Sequence, residues 1–196
     1  MPDRVGWYVL QVMTGTEHKV ARRIAERTGE KALVPTQELH ERHKGQWTLK
    51  KRVIIQGYVF IQANVSAETY YIIRAINGVI RFLGDGRPVT VPDEQMEIVQ
   101  ALGNGGQPLE CSITEKKDGR VRILSGPLKP LEDRIIKADM RARRATITIP
   151  ILDETKTLSM GICSRSDLAG EASPQESEGE QTDTQGAQAE SANGEA

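Results

Sequence analysis

Val53–Gln62, with the sequence VIIQGYVFIQ, is the stretch that decides the fold. Its content of Val, Ile, Tyr and Phe favours a buried β-strand over a helix. Gly57 predicts a bend or a close backbone approach within the strand. Beyond that glycine, side chains alternate between two faces, with Tyr58 and Phe60 on one and two aliphatic residues on the other. Because both faces are apolar, we expect one to meet helices of its own domain and the other to be covered as well or to contact a partner.

The segments around this strand predict an α+β domain. Their order is strand, helix, strand, hairpin, strand, helix, strand and helix, which is typical of an antiparallel sheet with helices packed against it. The predicted strands are Trp7–Met13, Lys31–Pro35, Val53–Gln62 and Val79–Leu83, with a hairpin over Gln37–Arg52 that turns at Lys44 and Gly45. The predicted helices run from Glu17 to Gly29, from Ser66 to Gly78 and onward from Pro92.

The chain changes character after Gly103–Pro108, whose sequence GNGGQP predicts a linker. Short strand-like runs without an evident helix follow, which predicts a small all-β barrel. We therefore divide the chain into an α+β domain at 5–102, a flexible linker at 103–112, a barrel at 113–168 and a tail at 169–196. The tail contains no Ile, Leu, Val, Met or aromatic residue, so we expect it to be disordered.

Charge is distributed unevenly, although the formal net charge is only −1. The tail holds seven acidic residues and no Lys or Arg, and it leaves 26 basic and 20 acidic residues in the rest of the chain. A basic body with an acidic tail suggests nucleic acid as a partner, although moderate positive charge is also common in other soluble proteins. The basic side of the first helix, with Lys19, Arg22 and Arg23, is either a solvated face or a phosphate-facing surface.

Several classes of protein are not expected. The N-terminus lacks the pattern of a signal peptide, and no run approaches the roughly 18 apolar residues of a membrane span. Cys111 and Cys163 form no CxxC motif, which predicts two reduced structural thiols in a cytoplasmic protein. His40 and His43 have no third ligand near them in the sequence, so we expect no metal. No catalytic constellation is evident, and we expect neither an enzyme nor a cofactor.

Four segments in order resemble the N-terminal (NGN) domain of NusG-family transcription factors: WYVLQVMTGTEHKVARRI, VPTQEL, VIIQGYVFIQ and IRAINGVIRFLGDGRPVTVP. The second domain looks like a KOW domain, through GRVRILSGPLKPLEDRIIKADMRARRATITIPIL. The family usually has a proline where this chain has Gln56. That departure, the basic turn Arg141–Arg144 and the acidic tail make the chain most similar to the LoaP group of specialised paralogues, which are antiterminators that act through RNA.

The resemblance implies that the NGN domain binds the clamp helices of RNA polymerase through an apolar patch. Carried over to this sequence, the contact residues are Tyr8, Ile54, Tyr58 and Phe60, with Tyr70 and Tyr71 facing the opposite polymerase lobe. The alternative for Tyr58 and Phe60 is a plain core role, since aromatic pairs on strands are often core. In the same family the first helix faces upstream or non-template DNA, which suits Lys19, Arg22 and Arg23.

Basic turns of the second domain are the candidate contact with a nascent RNA hairpin, because arginine forks suit phosphates and distorted bases. These residues are Lys116, Lys117, Arg120, Arg122, Lys129, Arg141, Arg143 and Arg144. The KOW domain of this family usually recruits protein partners, and that alternative stays open. We expect a monomeric elongation or antitermination factor with no membrane contact. A ribosome-associated RNA-binding protein is the alternative, although such proteins lack the N-terminal domain seen here.

Overall fold

A computed structural model describes residues 5–84, 86–117 and 120–167. Its strands are β1 Val5–Val12, β2 Lys31–Leu33, β3 Thr36–His43, β4 Gln46–Val53, β5 Tyr58–Asn64, β6 Val79–Phe82, β7 Ser112–Lys117, β8 Arg120–Ser125, β9 Ile135–Asp139, β10 Arg144–Ile151 and β11 Glu154–Ser164. Its α-helices are α1 Glu17–Thr28, α2 Ala67–Arg74 and α3 Asp93–Gly103, and a 3-10 helix covers Lys129–Arg134 in the segment that was expected to lack a helix. The predicted α+β class is confirmed. The tail at 169–196 lies outside the described residues.

The strands form three sheets. A four-stranded antiparallel sheet has the order β2-β5-β1-β6, and β3 and β4 form a separate hairpin. The second half of the chain forms a five-stranded sheet of order β8-β7-β11-β10-β9, in which β7 runs parallel to β11 and the other pairs are antiparallel. This small sheet fits the predicted KOW barrel. Within the described ranges, no helix is long and apolar enough to cross a membrane.

The stretch VIIQGYVFIQ is not one continuous strand. Val53 ends β4, a bend follows, and β5 begins only at Tyr58. Gly57 occupies the left-handed region with φ at 78°, which a residue with a side chain adopts only at a cost in energy. Its amide donates a hydrogen bond of 2.7 Å to the buried Glu17 carboxylate. The glycine therefore redirects the chain between the hairpin and the central strand.

Both faces of β5 are covered by other parts of the chain. Of the two alternatives given for the second face, a cover within the chain or contact with a partner, the structure has the first. Val59 and Ile61 belong to a core that includes Val20 of α1 and Ile73 of α2. The opposite face, with Phe60, belongs to a second core that includes residues of α3 and continues into the five-stranded sheet. The α+β part and the barrel therefore share one continuous apolar core in this arrangement.

Local signals set most of the element ends. Gly29 ends α1 in the left-handed conformation, and its amide donates to the Ala25 carbonyl over 2.9 Å. The Ser66 hydroxyl caps α2 by accepting from the Thr69 amide over 3.1 Å. The predicted second helix is too long, because α2 ends at Arg74 rather than near Gly78.

The β3–β4 hairpin turns where it was predicted to turn. Lys44 and Gly45 both have positive φ, at 49° and 86°, as a two-residue hairpin turn of the I′ type requires. All eight residue pairs from Thr36–Val53 to His43–Gln46 are in register. The hairpin extends away from the four-stranded sheet toward the second half of the chain, where β3 contacts β11.

The segment predicted as a flexible linker is more ordered than expected. Gly103 still belongs to α3, and Asn104–Gly106 form a 3-10 turn. Leu109 then pairs with β3, since its amide donates to the Thr36 carbonyl over 2.8 Å and its carbonyl accepts from the Glu38 amide over 2.7 Å. The end of the linker is thus hydrogen-bonded like a short strand.

Candidate functional site

Tyr58 lies at the contact between the α+β part and the barrel. Its side chain is only 9% exposed, and its hydroxyl accepts a 2.5 Å hydrogen bond from Lys156 Nζ and donates one of 3.3 Å to Glu154 Oε2. Lys156 Nζ also lies 4.5 Å from the centroid of the tyrosine ring. A hydrogen bond from Lys156 lowers the pKa of the Glu154 carboxyl. Lys156 and Glu154 of β11, which we call the latch, therefore hold the tyrosine that was predicted to contact polymerase.

The residues of this chain that were predicted to contact polymerase lie in different parts of the structure. Ile54 and Phe60 lie with Tyr58 in the shared core, and both are buried. Tyr8 lies on the other face of the sheet, where burial raises its pKa and its ring meets Phe82 edge-on. The structure therefore does not bring Tyr8 into one patch with Tyr58 and Phe60.

Tyr70 and Tyr71 lie on α2, away from the Tyr58 latch. Tyr70 stacks on Phe82 with a centroid distance of 5.2 Å, so it belongs to the helix side of the core. Tyr71 is 70% exposed, which makes it the accessible aromatic residue of the pair. Exposure leaves Tyr71 available to a partner, whereas Tyr70 stabilises its own domain.

A crevice of about 420 Å³ opens beside Tyr58 between the hairpin and the barrel. Its walls combine apolar side chains near the bend, such as Ile55, with charged ones, such as Arg52, Arg144 and Lys156. Arg52 is paired with Glu41, and this bidentate pair lowers the pKa of the Glu41 carboxyl. The contact between the two halves of the chain is thus incompletely packed and partly polar.

Gln37 joins β3 to β11 and was not recognised from the sequence. Its side-chain amide donates to the Ser159 carbonyl over 2.6 Å, and its oxygen accepts from the Gly161 amide over 3.1 Å. A Cβ on Gly161 would lie 3.1 Å from Leu39, so the glycine permits the close approach of the two strands. The side chain of Gln37 is buried, and nothing in its local sequence separates it from a solvated hairpin residue.

The arginine turn before β10 differs from its prediction. Arg143 is buried, with φ at 54°, an ion pair of 2.8 Å to Asp167 and its guanidinium 4.3 Å from the Trp47 ring centroid. Arg144 is half-buried and donates to the His40 carbonyl over 2.9 Å, and burial lowers its pKa. Two of the three arginines predicted to contact RNA, Arg143 and Arg144, therefore lie against the β3–β4 hairpin. Arg141 is exposed.

Three more of the residues predicted to contact RNA lie toward the free end of the β7–β8 hairpin. Lys116, Lys117 and Arg122 are exposed on β7 and β8. The Thr114 hydroxyl lies 3.4 Å from Met140 Sδ, which brings the turn that contains Arg141 close to β7. Lys129 is exposed but pairs with Glu132 over 2.9 Å. Arg120 begins β8, and its side chain lies outside the described part of the structure.

Of the three basic residues of α1 that were predicted to contact DNA, two are exposed to solvent. Lys19 and Arg22 are exposed, and Arg23 is half-buried. Arg22 lies 3.5 Å from Glu26 in an exposed i,i+4 pair, which is worth little in water. This geometry suits both alternatives, a solvated face and a surface that follows phosphates.

The two cysteines contradict the expectation of separate reduced thiols. Cys111 and Cys163 form a disulfide, with their Cα atoms 6.0 Å apart and a separation of 52 positions in sequence. The bond ties the residue directly before β7 to β11, the last strand of the barrel. His40 Nδ1 lies 3.7 Å from Cys163 Sγ. This proximity depends on the fold, because the histidine is more than 120 residues away in the chain.

Known proteins match most of the chain. A family model described as transcription termination factor nusG matches residues 6–100. The transcription termination/antitermination protein NusG of Buchnera aphidicola (subspecies Acyrthosiphon pisum) is 27% identical over 169 residues, which cover 79% of this chain and 91% of the relative. The protein of the same description from Vibrio cholerae is 26% identical over 157 residues, which cover 74% of this chain and 86% of the relative.

A solved structure has the same fold. It is described as domain interaction in Thermotoga maritima NusG, and it superimposes with a TM-score of 0.53 at 21% identity, covering 81% of this chain and 94% of the other. The match over residues 6–100 and the relatives aligned over most of their length make the chain similar to NusG proteins, and the solved structure shows the same fold.

Proposed function

We propose that this protein is a transcription elongation factor of the termination/antitermination type that binds the clamp of RNA polymerase through the Tyr58 face of its NGN domain. Relatives described as transcription termination/antitermination proteins support the class. The observation that carries the proposal is the way Tyr58 is covered. Its hydroxyl meets the barrel through hydrogen bonds to Glu154 and Lys156, and such bonds exchange readily with water.

Parting of the barrel from the NGN domain would give polymerase access to Tyr58. The crevice beside the tyrosine leaves the contact incompletely packed, so its separation costs less than opening a close-packed core. Phe60 is fully buried and lies with Tyr58 in the core that the α+β part shares with the barrel. Tyr58 is the residue of this face whose hydroxyl bonds directly to the barrel, which makes it the residue to test.

Two substitutions of Tyr58 test this proposal. Tyr58→Phe keeps the ring but removes both hydrogen bonds to the latch, so it should loosen the barrel and strengthen binding to purified polymerase. Tyr58→Ala loosens the barrel as well but also removes the ring, so it should bind more weakly than Tyr58→Phe by about 1.4 kcal/mol or more, which is a tenfold change in Kd.

Matched controls keep the test interpretable. Thermal melting must show that both Tyr58 variants are folded, and Tyr71→Ala, which changes an exposed tyrosine on α2, reports the contribution of a separate aromatic residue. Equal polymerase binding by the folded Tyr58→Phe and Tyr58→Ala variants would rule out the Tyr58 face as the contact.

The proposal also extends to nucleic acid. The exposed basic residues of the barrel, Lys116, Lys117, Arg122 and Arg141, are suited to the phosphates of a nascent RNA hairpin. Lys19 and Arg22 on α1 are similarly suited to non-template DNA. Gln56, the arginine turn and the acidic tail favour a specialised antiterminator of the LoaP group. We place this factor in the cytoplasm as a monomer without membrane contact.

A further inference from the structure

Three metal-ligating side chains converge where the hairpin meets the barrel. His40 lies on β3, Cys111 directly precedes β7, and Cys163 lies on β11. Their ligand atoms all lie within 4.8 Å of one another. Cys163 is buried and the other two residues are half-buried, so the cluster is shielded on one side and reachable on the other. The α+β part supplies the imidazole, and the barrel supplies both sulfurs.

We propose that His40, Cys111 and Cys163 form a metal site for a borderline or soft divalent ion such as Zn²⁺ once the disulfide is reduced. Zinc binds thiolates at about 2.3 Å and imidazole at about 2.0–2.1 Å, which places neighbouring ligand atoms of a tetrahedral site about 3.6 Å apart. His40 Nδ1 and Cys163 Sγ are 3.7 Å apart. Two of the three ligands thus stand at the separation that one zinc ion requires.

The chemistry of loading involves reduction and then proton release. A thiol or dithiol reductant transfers two electrons to the Cys111–Cys163 bond, is itself oxidised to a disulfide, and leaves two thiols. Binding of M²⁺ then displaces one proton from each thiol and gives a neutral metal–dithiolate with an imidazole ligand. A neutral complex suits the buried position of Cys163 better than a free thiolate would. With three protein ligands, the fourth position is open to water.

Arg144 and Gly161 lie beside the cluster. The Arg144 guanidinium donates to the His40 carbonyl over 2.9 Å, which brings a positive charge close to the cluster. Gly161 lies close by, and the Cβ of Cys111 is 3.4 Å from where a side chain on that glycine would begin. The close packing of β3, β11 and the residues before β7 therefore holds the ligands together before any ion binds.

The site would join the two halves of the chain. His40 belongs to the NGN hairpin and the cysteines belong to the barrel, so a bound ion stabilises the arrangement in which the barrel covers Tyr58. The disulfide alone connects residues 111 and 163 and leaves the hairpin without a covalent link to the barrel. Reduction followed by metal binding thus exchanges a bond inside the barrel for a coordination bridge between the domains.

Cobalt is a suitable probe because Co²⁺ takes zinc sites and gives a thiolate-to-metal charge-transfer absorption. The full chain is reduced with a phosphine, freed of the reductant under nitrogen, and titrated with Co²⁺ and then with Zn²⁺. We expect one Co²⁺ per chain, release of two protons, and displacement of cobalt by zinc. The oxidised chain should give no charge-transfer band.

Variants separate the proposed site from adventitious binding. His40→Gln keeps both thiols and should weaken Co²⁺ binding at least as much as the loss of an outer-shell partner does, which is about 10- to 100-fold. Cys111→Ser, at a half-buried position, should weaken it similarly and reduce the charge-transfer intensity. His43→Gln, on the exposed end of the same strand, is the matched control and should bind like the parent chain.

Three results would overturn the proposal. These are a disulfide that excess phosphine does not reduce in the folded chain, a reduced chain that binds no stoichiometric cobalt, and equal affinities for His40→Gln and the parent chain. None of these measurements involves polymerase, so their outcome is independent of the proposed function.

Discussion

Arg143 is charged but buried. It does not share the exposed surface on which Arg141 lies. Its backbone adopts the left-handed conformation, and its guanidinium meets Asp167 on one side and the Trp47 ring on the other. The side chain of Arg143 is about a tenth exposed, so its ion pair is better shielded from solvent than the exposed pairs of the hairpin. We therefore assign the Arg143 charge a role in stabilising the fold.

Replacing Asp167 by Ala should lower the free energy of unfolding at pH 7 by about 1–3 kcal/mol, because it removes the charged hydrogen bond that Asp167 accepts from the buried Arg143 guanidinium. Burial opposes ionisation of Asp167, but hydrogen bonds from Ser164 and the ion pair with Arg143 lower its pKa overall. A carboxyl with a lowered folded-state pKa stabilises the fold above its unfolded-state pKa of about 3.9 and loses that contribution as the pH falls further.

Urea unfolding at several pH values checks this prediction. The gap between the parent chain and Asp167→Ala should be widest near pH 7 and should narrow below about pH 4. Asp153→Ala, which changes an exposed carboxylate in the turn between β10 and β11, is the control and should stay within about 0.5 kcal/mol of the parent chain. A gap that is constant from pH 7 to pH 3 would contradict the role given to the carboxylate.

The β3–β4 hairpin is the element that carries most of the polar contact between the two halves. One end of β3 pairs with Leu109, Gln37 bonds to two backbone groups of β11, and Trp47 on β4 packs under Arg143. A hairpin of this length and charge is commonly a solvated excursion. Here its base lies between the four-stranded sheet and the barrel, and its tip is exposed.

Gln37→Ala should destabilise the chain by about 1–3 kcal/mol, because it leaves the Ser159 carbonyl and the Gly161 amide without their partner. Hydrogen exchange should show faster exchange of the Gly161 amide, with the α1 amides unchanged. Gln46→Ala, which changes an exposed glutamine at the hairpin tip, provides the comparison and should leave both measurements as they are. If the Gly161 amide stays protected in Gln37→Ala, the bridge does not hold the hairpin to β11.

Elements whose signals are local could be predicted, and contacts between distant segments could not. Gly29, Ser66 and the Lys44–Gly45 turn each fix an element end through their own backbone geometry, and all three were identified from the sequence. The disulfide joins residues 52 positions apart, and the His40 contact spans a greater distance. Neither leaves a spacing pattern in the chain, since both depend on how the barrel docks against the hairpin.

The candidate site was predicted only in part, for a related reason. The two-faced apolar strand correctly indicated that the Tyr58 face needs a cover, but alternation along a strand does not identify the cover. Arg143 and Arg144 could not be distinguished from Arg141 by their charge, because a sequence does not show the direction in which a turn points its side chains. Strand β7 was missed, since SITEKK has little of the apolar alternation that indicates a strand.

For the whole molecule, the separation of charge predicts salt-dependent binding to RNA. Lys116→Ala, Lys117→Ala and Arg122→Ala combined in one variant should weaken binding to an RNA hairpin and flatten its dependence on salt. The slope of log K against log salt should change by about 0.7–0.9 for each phosphate that the variant no longer neutralises, or about 2–3 in all. Arg143 and Arg144 are left intact, because their substitution would also disturb the packing against the β3–β4 hairpin.

A salt titration by fluorescence anisotropy measures both affinity and slope. The control combines Lys44→Ala and Lys51→Ala, which remove exposed positive charge from the β3–β4 hairpin. An unchanged slope in the barrel variant, or an equal change in the control, would place the RNA-binding surface elsewhere on the basic body.

The pairing of Leu109 with β3 has a consequence for competition between partners. If the barrel leaves the α+β part, it stays attached by the segment from Gly103 to Cys111, and these two residues can be at most about 28 Å apart when the segment is fully extended. A tether this short keeps the barrel at an effective concentration on the order of millimolar near Tyr58. Any protein that binds the Tyr58 face must therefore compete with the tethered barrel. Its apparent affinity is reduced in proportion to the fraction of molecules in which the barrel has left that face.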